Sequence, residues 1–246
     1  MSKKTVVEQN IGKLYMMPCP IVDEHIDSLS VEAIDRIRLT THFVVERART
    51  ARRFIKIAEH PMAISDLIIF ELDKNEPAEG LNDFLKIIKE GIDVGVFSEA
   101  GCPGIADPGH LAVSYCHEND IDVVPLIGPS SILLGLISSG MNGQNFAFNG
   151  YLPNKSPKLI QKLRSLEQLV MRTNQTQIFM EAPYRNEFML EHCMKAFSPN
   201  LRLCVACDIN GPNEFIKTKT IKRTICLRDC SEFIGINAID NTAIII

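Results

Sequence analysis

The sequence has no Trp and only 4 Tyr among 246 residues, which leaves few rings for stacking single-stranded RNA bases and counts against recognition by that route. Charge of one sign is lacking too. The 26 Lys and Arg stand against 30 Asp and Glu, for a formal net charge of −4, so any contact with a polyanion must come from a local patch. Long apolar runs are missing: the longest, around residues 131–141, is broken by Gly and Ser, and the opening MSKKTVVEQN has no apolar core of an export signal. The expectation is a cytoplasmic chain without signal peptide or membrane span. Absent as well are GxxxxGK followed by Ser or Thr, GxGxxG after the first strand, GxSxG and HExxH. The usual nucleotide and hydrolase readings therefore have no motif to rest on.

What is present is globular in proportion, with 46% apolar and 23% charged residues, enough for one large or two smaller cores. The 8 Cys are spread along the chain with no export signal beside them and read as reduced thiols. Cys204-x2-Cys207 followed by Cys226-x3-Cys230 approximates a four-thiolate zinc pattern. However, residues 201–209 form a continuous strand-like run, and positions three apart on a strand face opposite sides. The expectation is packed or exposed thiols and no metal.

Strand and helix patterns alternate along the chain. Short apolar runs at 12–18, 42–45, 67–72, 93–98 and 121–126 predict strands, with helical spacing at 30–38, 48–58, 80–91 and 111–119 between them. Ser30 and Gly91 supply an N-cap and a C-terminal cap. After Gly128-Pro129 the alternation resumes with helices at 131–139, 156–171 and 186–196 and strands at 145–151, 177–181, 201–208, 219–227 and 241–246. This predicts an α/β fold of two α/β domains, residues 1–126 and 127–246, each with a mixed, mainly parallel sheet, and a cleft between them.

In open parallel sheets ligands bind beyond the carboxyl ends of the strands, and three strand-end loops stand out. Residues 98–109, Ser-Glu-Ala-Gly-Cys-Pro-Gly-Ile-Ala-Asp-Pro-Gly, pack Gly, Pro and two carboxylates directly after a strand. Such a loop lets backbone amides approach a ligand closely. Ile127-Gly-Pro-Ser-Ser-Ile132 is a second tight turn, with Ser130 or Ser131 as helix cap, and Glu181-Ala-Pro-Tyr-Arg185 is a third.

Taken in order, these loops resemble the tetrapyrrole methylase-like superfamily, the class III S-adenosylmethionine-dependent methyltransferases. Within it the chain is most similar to the family that methylates the ribose 2′-oxygen of a cytidine in small-subunit ribosomal RNA. That family's opening L-Y-x-V-P-T-P-I is matched by Leu14-Tyr-Met-Met-Pro-Cys-Pro-Ile21, and its A-E-D-T-R by Val45-Glu46-Arg47-Ala48-Arg49. H-N-E corresponds to Lys74-Asn75-Glu76, and S-D-A-G-T-P-x-I-S-D-P-G to residues 98–109 with Glu99 for Asp and Cys102 for Thr. P-G-P-x-A-x corresponds to residues 127–132, G-F-L-P-x-K to Gly150-Tyr-Leu-Pro-Asn-Lys155, and E-S-P-H-R to residues 181–185. The Gly-Asn after Ile21 and the Asp and Thr at Arg47 and Ala48 are lost.

The resemblance implies S-adenosylmethionine as cofactor, a ribosomal RNA substrate and a homodimer; the sequence patterns above add the expectation of no membrane and no metal partner. By motif position it places the cofactor against Pro18, Pro20 and Ile21, against Ala100, Gly101, Cys102 and Ile105, and against Ser131 and Ile132, closed by Glu181 and Asp208. Arg49, Asn75, Lys155 and Arg185 are the implied substrate contacts. Methyl transfer from a sulfonium depends mainly on alignment, but the acceptor hydroxyl must lose its proton to a base. Glu99 and Glu181 are the candidates for that base; Asp107 is a third that also fits a turn, and Glu181 also fits a pair with Arg185. Two basic stretches suit phosphate contact: Arg36 to Lys56, with seven Arg and Lys, and Lys155, Lys158, Lys162 and Arg164. Other acceptors, a tetrapyrrole-like small molecule or a protein, stay open, as does a degenerate RNA-binding paralogue without catalysis.

Overall fold

Alternation of side chains across a strand decides the architecture of the first half. In β1 (Leu14–Met16) Leu14 and Met16 enter one buried cluster while Tyr15 enters another; in β2 (His42–Val45) Val44 parts from Phe43 and Val45 in the same way. Strands buried on both faces demand helices on both faces. A computed structural model supplies them. It describes residues 11–22, 25–73, 75–76, 78–226 and 242–245, and the chain divides into two compact units, Met1–Pro129 and Ser130–Ile246. Lys74, Leu227, Cys230, Asn241 and Ile246 lie outside the described residues.

The first unit is a five-stranded sheet in the order β3-β2-β4-β1-β5, with β3 at Ile68–Glu71, β4 at Val94–Phe97 and β5 at Val123–Pro125. Every pairing is parallel. Helices α1 (Val31–Leu39) and α2 (Ala48–Ile57) pack Ile37, Ala51, Phe54 and Ile55 on one face. On the other, α3 (Leu81–Leu85) and α4 (His110–Glu118) pack Leu81, Leu85, Ala112 and Cys116. Ser30 caps α1 by accepting from the Ala33 N–H at 3.1 Å. The single helix expected over 80–91 is instead α3 followed by a 3₁₀ segment, Lys86–Glu90, which ends at Gly91 with φ of 91°.

The second unit is a five-stranded sheet ordered β6-β7-β10-β8-β9, comprising Phe146–Tyr151, Thr176–Glu181, Thr242–Ile245, Arg202–Cys207 and Phe215–Thr220. Helices α6 (Ser156–Thr173) and α7 (Asn186–Ala196) cover one face through Leu159, Leu163, Leu166, Met189 and Cys193. Helix α5 (Ser131–Ser139) covers the other through Ile132 and Leu136. Only β6 and β7 pair in parallel; β10 runs antiparallel to β7 and to β8, and β8 antiparallel to β9. This corrects the expectation of a mainly parallel sheet for the second half, because a short turn at 208–214 joins β8 to β9 and a turn of that length can only reverse the chain.

The strand expected over 219–227 is also corrected. The strand is β9, and α8 (Ile221–Cys226) follows it. Thr220 starts the helix: its Oγ1 accepts from the Arg223 N–H at 3.4 Å and its carbonyl accepts from the Thr224 hydroxyl at 3.1 Å. Cys204 and Cys207 lie on β8 as expected of a strand, and they enter different cores, Cys204 beneath α5 and Cys207 beneath α6 and α7. Their sulfurs therefore do not converge on a common metal. Among the described residues no helix is long and apolar enough to cross a membrane.

Candidate functional site

Topology singles out the end of β4. It lies between β2 and β1, whose following helices α2 and α1 pack on one face while α4, which follows β4, packs on the other. Chain that leaves neighbouring strands in opposite directions opens a crevice at their carboxyl ends. The loop that leaves β4 there is residues 98–109.

Three loops are fastened together at this edge. Cys19, after β1, and Gly101, after β4, exchange backbone hydrogen bonds of 2.8 and 3.1 Å as an isolated antiparallel bridge. The buried Cys19 thiol donates to the Ser98 carbonyl at 3.4 Å, and burial holds its pKa well above the ordinary thiol value. Cys102 reaches the loop after β5, its Sγ lying 3.3 Å from the Pro129 carbonyl oxygen and 3.6 Å from that of Gly128. Gly101 and Gly104 have φ of 70° and 85°, where a side chain is strained, and a Cβ on Gly101 would come 3.3 Å from the Pro129 oxygen. Gly128 is more constrained still, since a Cβ there would meet the Pro18 ring 2.0 Å away.

The carboxylates of the first unit divide by what already occupies their oxygens. Asp107 accepts from the Gly104 N–H through both oxygens at 2.9 Å and from the Gly109 N–H at 2.7 Å, so it holds the loop's own turn. Glu99 Oε1 lies 3.0 Å from Arg47 Nε in a half-exposed ion pair. Glu46, directly after β2, accepts from the Glu99 backbone N–H, and its carboxyl is held above the usual range. Burial is the main cause, with the negative charges of Glu99 and Asp107 adding to it and the Glu99 N–H and Arg47 opposing it. A crevice next to Glu99 is lined by Cys19, Pro20, Ser98 and Glu99 and by Thr50 and Arg53 of α2.

In the second unit Glu181 ends β7 with its side chain 2% exposed. Its Oε1 accepts from the Ala182 N–H at 2.9 Å, and its Oε2 lies 3.2 Å from Arg185 Nη2, an ion pair whose angles miss hydrogen-bond geometry. Burial raises the Glu181 pKa, and the Ala182 N–H and Arg185 pull it back. The Arg185 guanidinium sits 5.5 Å from the Phe188 ring centre, and that ring lies 4.1 Å from the His192 ring. His192 Nδ1 is 2.7 Å from the Phe188 carbonyl and Nε2 is 2.8 Å from Ser156 Oγ. With Nδ1–H donating to the carbonyl, Nε2 accepts from Ser156.

The expected site residues therefore fall into separate groups. Pro18, Pro20, Ala100, Gly101 and Cys102 gather on the fastened loops; Ile21 is half-buried and Ile105 is 48% exposed beside them. In the second unit Ser130, not Ser131, caps α5, accepting from the Leu133 N–H at 3.5 Å, and Ile132 is core. Asp208 accepts from the Asn213 N–H at 2.8 Å and holds the β8–β9 turn. Arg49 is exposed on α2, Asn75 is exposed and its N–H donates to Asp73 Oδ1 at 2.7 Å, and Lys155 is exposed at the start of α6. Glu46 was not among the expected site residues, although it matches the Glu of the A-E-D-T-R motif at the end of a strand.

Comparison with known proteins follows the same direction. The chain is 30% identical over 215 residues to "Ribosomal RNA small subunit methyltransferase I" of Synechocystis sp., covering 87% of this chain and 73% of that protein. Identity to the proteins of the same name from Vibrio cholerae and Micromonospora olivasterospora is 29% and 32%, over 75% and 74% of this chain. The chain spans only 60% and 55% of those two relatives. No family model matches it. Among solved structures it shares its fold with a cobalt precorrin-4 methyltransferase at TM-score 0.61 and 15% identity, covering 95% of this chain and 93% of that one. The uroporphyrin-III-C-methyltransferase of Thermus thermophilus gives 0.54 and 14%, covering 95% and 90%.

Proposed function

Since the chain belongs to the ribosomal RNA small subunit methyltransferase I family, we propose that it transfers a methyl group from S-adenosylmethionine to the 2′-oxygen of a cytidine ribose in small-subunit ribosomal RNA. The observation that carries this reading is the fastening of the β1, β4 and β5 loops around Gly101 and Cys102 at the carboxyl end of a parallel sheet. The backbone groups and small residues there suit a donor held by main-chain contacts, and Ile105 offers apolar surface. When bound, S-adenosylmethionine supplies an electrophilic methyl on a cationic sulfur. The chain's part is to align and shield: Pro18, Pro20, Ala100, Gly101 and Cys102 hold the donor, and Ser131 lies at the first turn of α5.

Exposed Arg49, Arg52, Arg53 and Lys56 on α2, and Lys155, Lys158 and Arg164 on α6, are the proposed phosphate contacts. Recognition by such groups is electrostatic and weakens with salt. A cytoplasmic location and pairing of two copies complete the proposal. Calorimetric titration with S-adenosylmethionine and with its demethylated product tests the donor site, and one saturable site per chain is expected. Transfer of labelled methyl to small ribosomal subunits then tests the acceptor; transfer to protein or to a tetrapyrrole instead would replace it.

A further inference from the structure

Resting on that reading, we infer that Glu46, rather than Glu99 or Glu181, is the carboxylate that takes the proton from the acceptor hydroxyl. Three other carboxylates near the strand ends are already committed. Asp107 has both oxygens on loop N–H groups. Glu181 is 2% exposed, with one oxygen on the Ala182 N–H and the other beside Arg185. Glu99 is open to solvent at 40% exposure, but its Oε1 is engaged by Arg47 Nε at 3.0 Å.

Glu46 differs from all three. It stands at the end of β2 beside β4, at the point where the connections diverge to opposite faces. The Glu99 N–H orients it, and Glu99 and Asp107 face it with like charge. Arg47 is the cation that faces it, and on the adjoining strand Glu71 is occupied by capping α2 through the Ala48 N–H at 2.9 Å. Desolvation and like charge together raise its proton affinity, which makes it a stronger proton acceptor than an ordinary carboxylate. In the step itself the acceptor O–H bond breaks as the O–CH₃ bond forms. The methyl–sulfur bond breaks with its electron pair remaining on sulfur, which becomes neutral, and the proton passes to a Glu46 oxygen. Glu99 acts as a positioning residue, through its backbone N–H on Glu46 and its side chain on Arg47.

The test compares wild type, Glu46→Gln, Glu46→Asp and Glu99→Gln in the full chain. Single-turnover methyl transfer to small ribosomal subunits is followed from about pH 5.5 to about pH 9, alongside calorimetric affinity for S-adenosylmethionine. For Glu46→Gln we expect turnover to fall by about 10²-fold or more, the rise of rate with pH to disappear, and donor affinity to be retained. Glu46→Asp restores part of the rate and the pH-dependent limb, and Glu99→Gln keeps that limb at reduced rate. Wild-type turnover with its pH limb intact in Glu46→Gln overturns the inference. The same holds if Glu46→Gln loses turnover only in step with donor affinity. A wild-type protein that binds no donor overturns the underlying reading and this inference with it, and calorimetry tells that case from the others.

Discussion

The two acidic centres of the chain look alike in sequence, each a Glu at a strand end with an Arg close by, but they are built oppositely. In the first unit Glu46, Glu99 and Arg47 remain partly open to water, tied by the Glu99 N–H on Glu46 and by the Glu99–Arg47 ion pair. In the second, Glu181 and Arg185 are 2% and 19% exposed in their side chains and sit over a packed column of Phe188, His192 and Ser156. A half-open carboxylate keeps capacity for a ligand, whereas a buried one with one oxygen hydrogen-bonded and the other ion-paired has spent most of it on the fold. The contrast also follows the sheets: the crevice of the all-parallel sheet collects loops, while the antiparallel connection in the other collects a hairpin turn.

The contrast is broken most severely at Arg185. Arg185→Ala strands the Glu181 carboxylate in a buried site and should cost about 3–5 kcal/mol in denaturant unfolding, because removal of one partner leaves an uncompensated charge. Replacing both residues by apolar ones of similar size should recover much of that loss. A Glu181 that instead served as an open ligand group would show little change on loss of Arg185.

Gly128→Ala is the matching test in the first unit. Its Cβ would lie 2.0 Å from the Pro18 Cβ, so one of two fastened loops must move, at a cost of about 1–3 kcal/mol for overpacking. The expected signature is loss of donor affinity larger than the stability change explains, read by titration calorimetry beside thermal unfolding. Next in size is Ser156→Ala, which leaves His192 Nε2 without its hydroxyl donor in a 7%-exposed site. That should cost about 1–2 kcal/mol in stability, with donor affinity unchanged.

These two centres also mark how far the sequence could be read. The parallel unit was legible because strands buried on both faces leave short apolar runs punctuated by Ser30, Gly91 and the Gly-Pro loops, all local signals. The placement of β10 between β7 and β8 was not, since pairing across more than 30 residues of chain leaves no local trace. β9 was displaced because Phe215-Ile-Lys-Thr-Lys-Thr220 alternates weakly. The opposed faces of Cys204 and Cys207 follow from strand period alone. The environment of Glu46 arises from a β2–β4 neighbour 53 positions away, Glu99. The motif gave its residue type and strand-end position, and only the sheet order gave it company.

The smallest effect expected is the most diagnostic for the first centre. Because burial and the Glu99 and Asp107 charges raise the folded-state pKa of Glu46, its proton is bound more tightly in the native chain than in the unfolded one. The stability it contributes is therefore complete below the unfolded carboxyl value of about 4.3 and is lost as pH rises through the higher native value. Glu46→Gln, which cannot ionise, should match wild type in acid and exceed it slightly in thermal stability at neutral pH. The direction matters more than the size. A carboxylate held mainly by Arg47 would have its pKa lowered, and its replacement would cost stability at neutral pH. A gain on removing a native charge marks a group kept where the fold alone would not favour it, as a proton acceptor at a strand end requires.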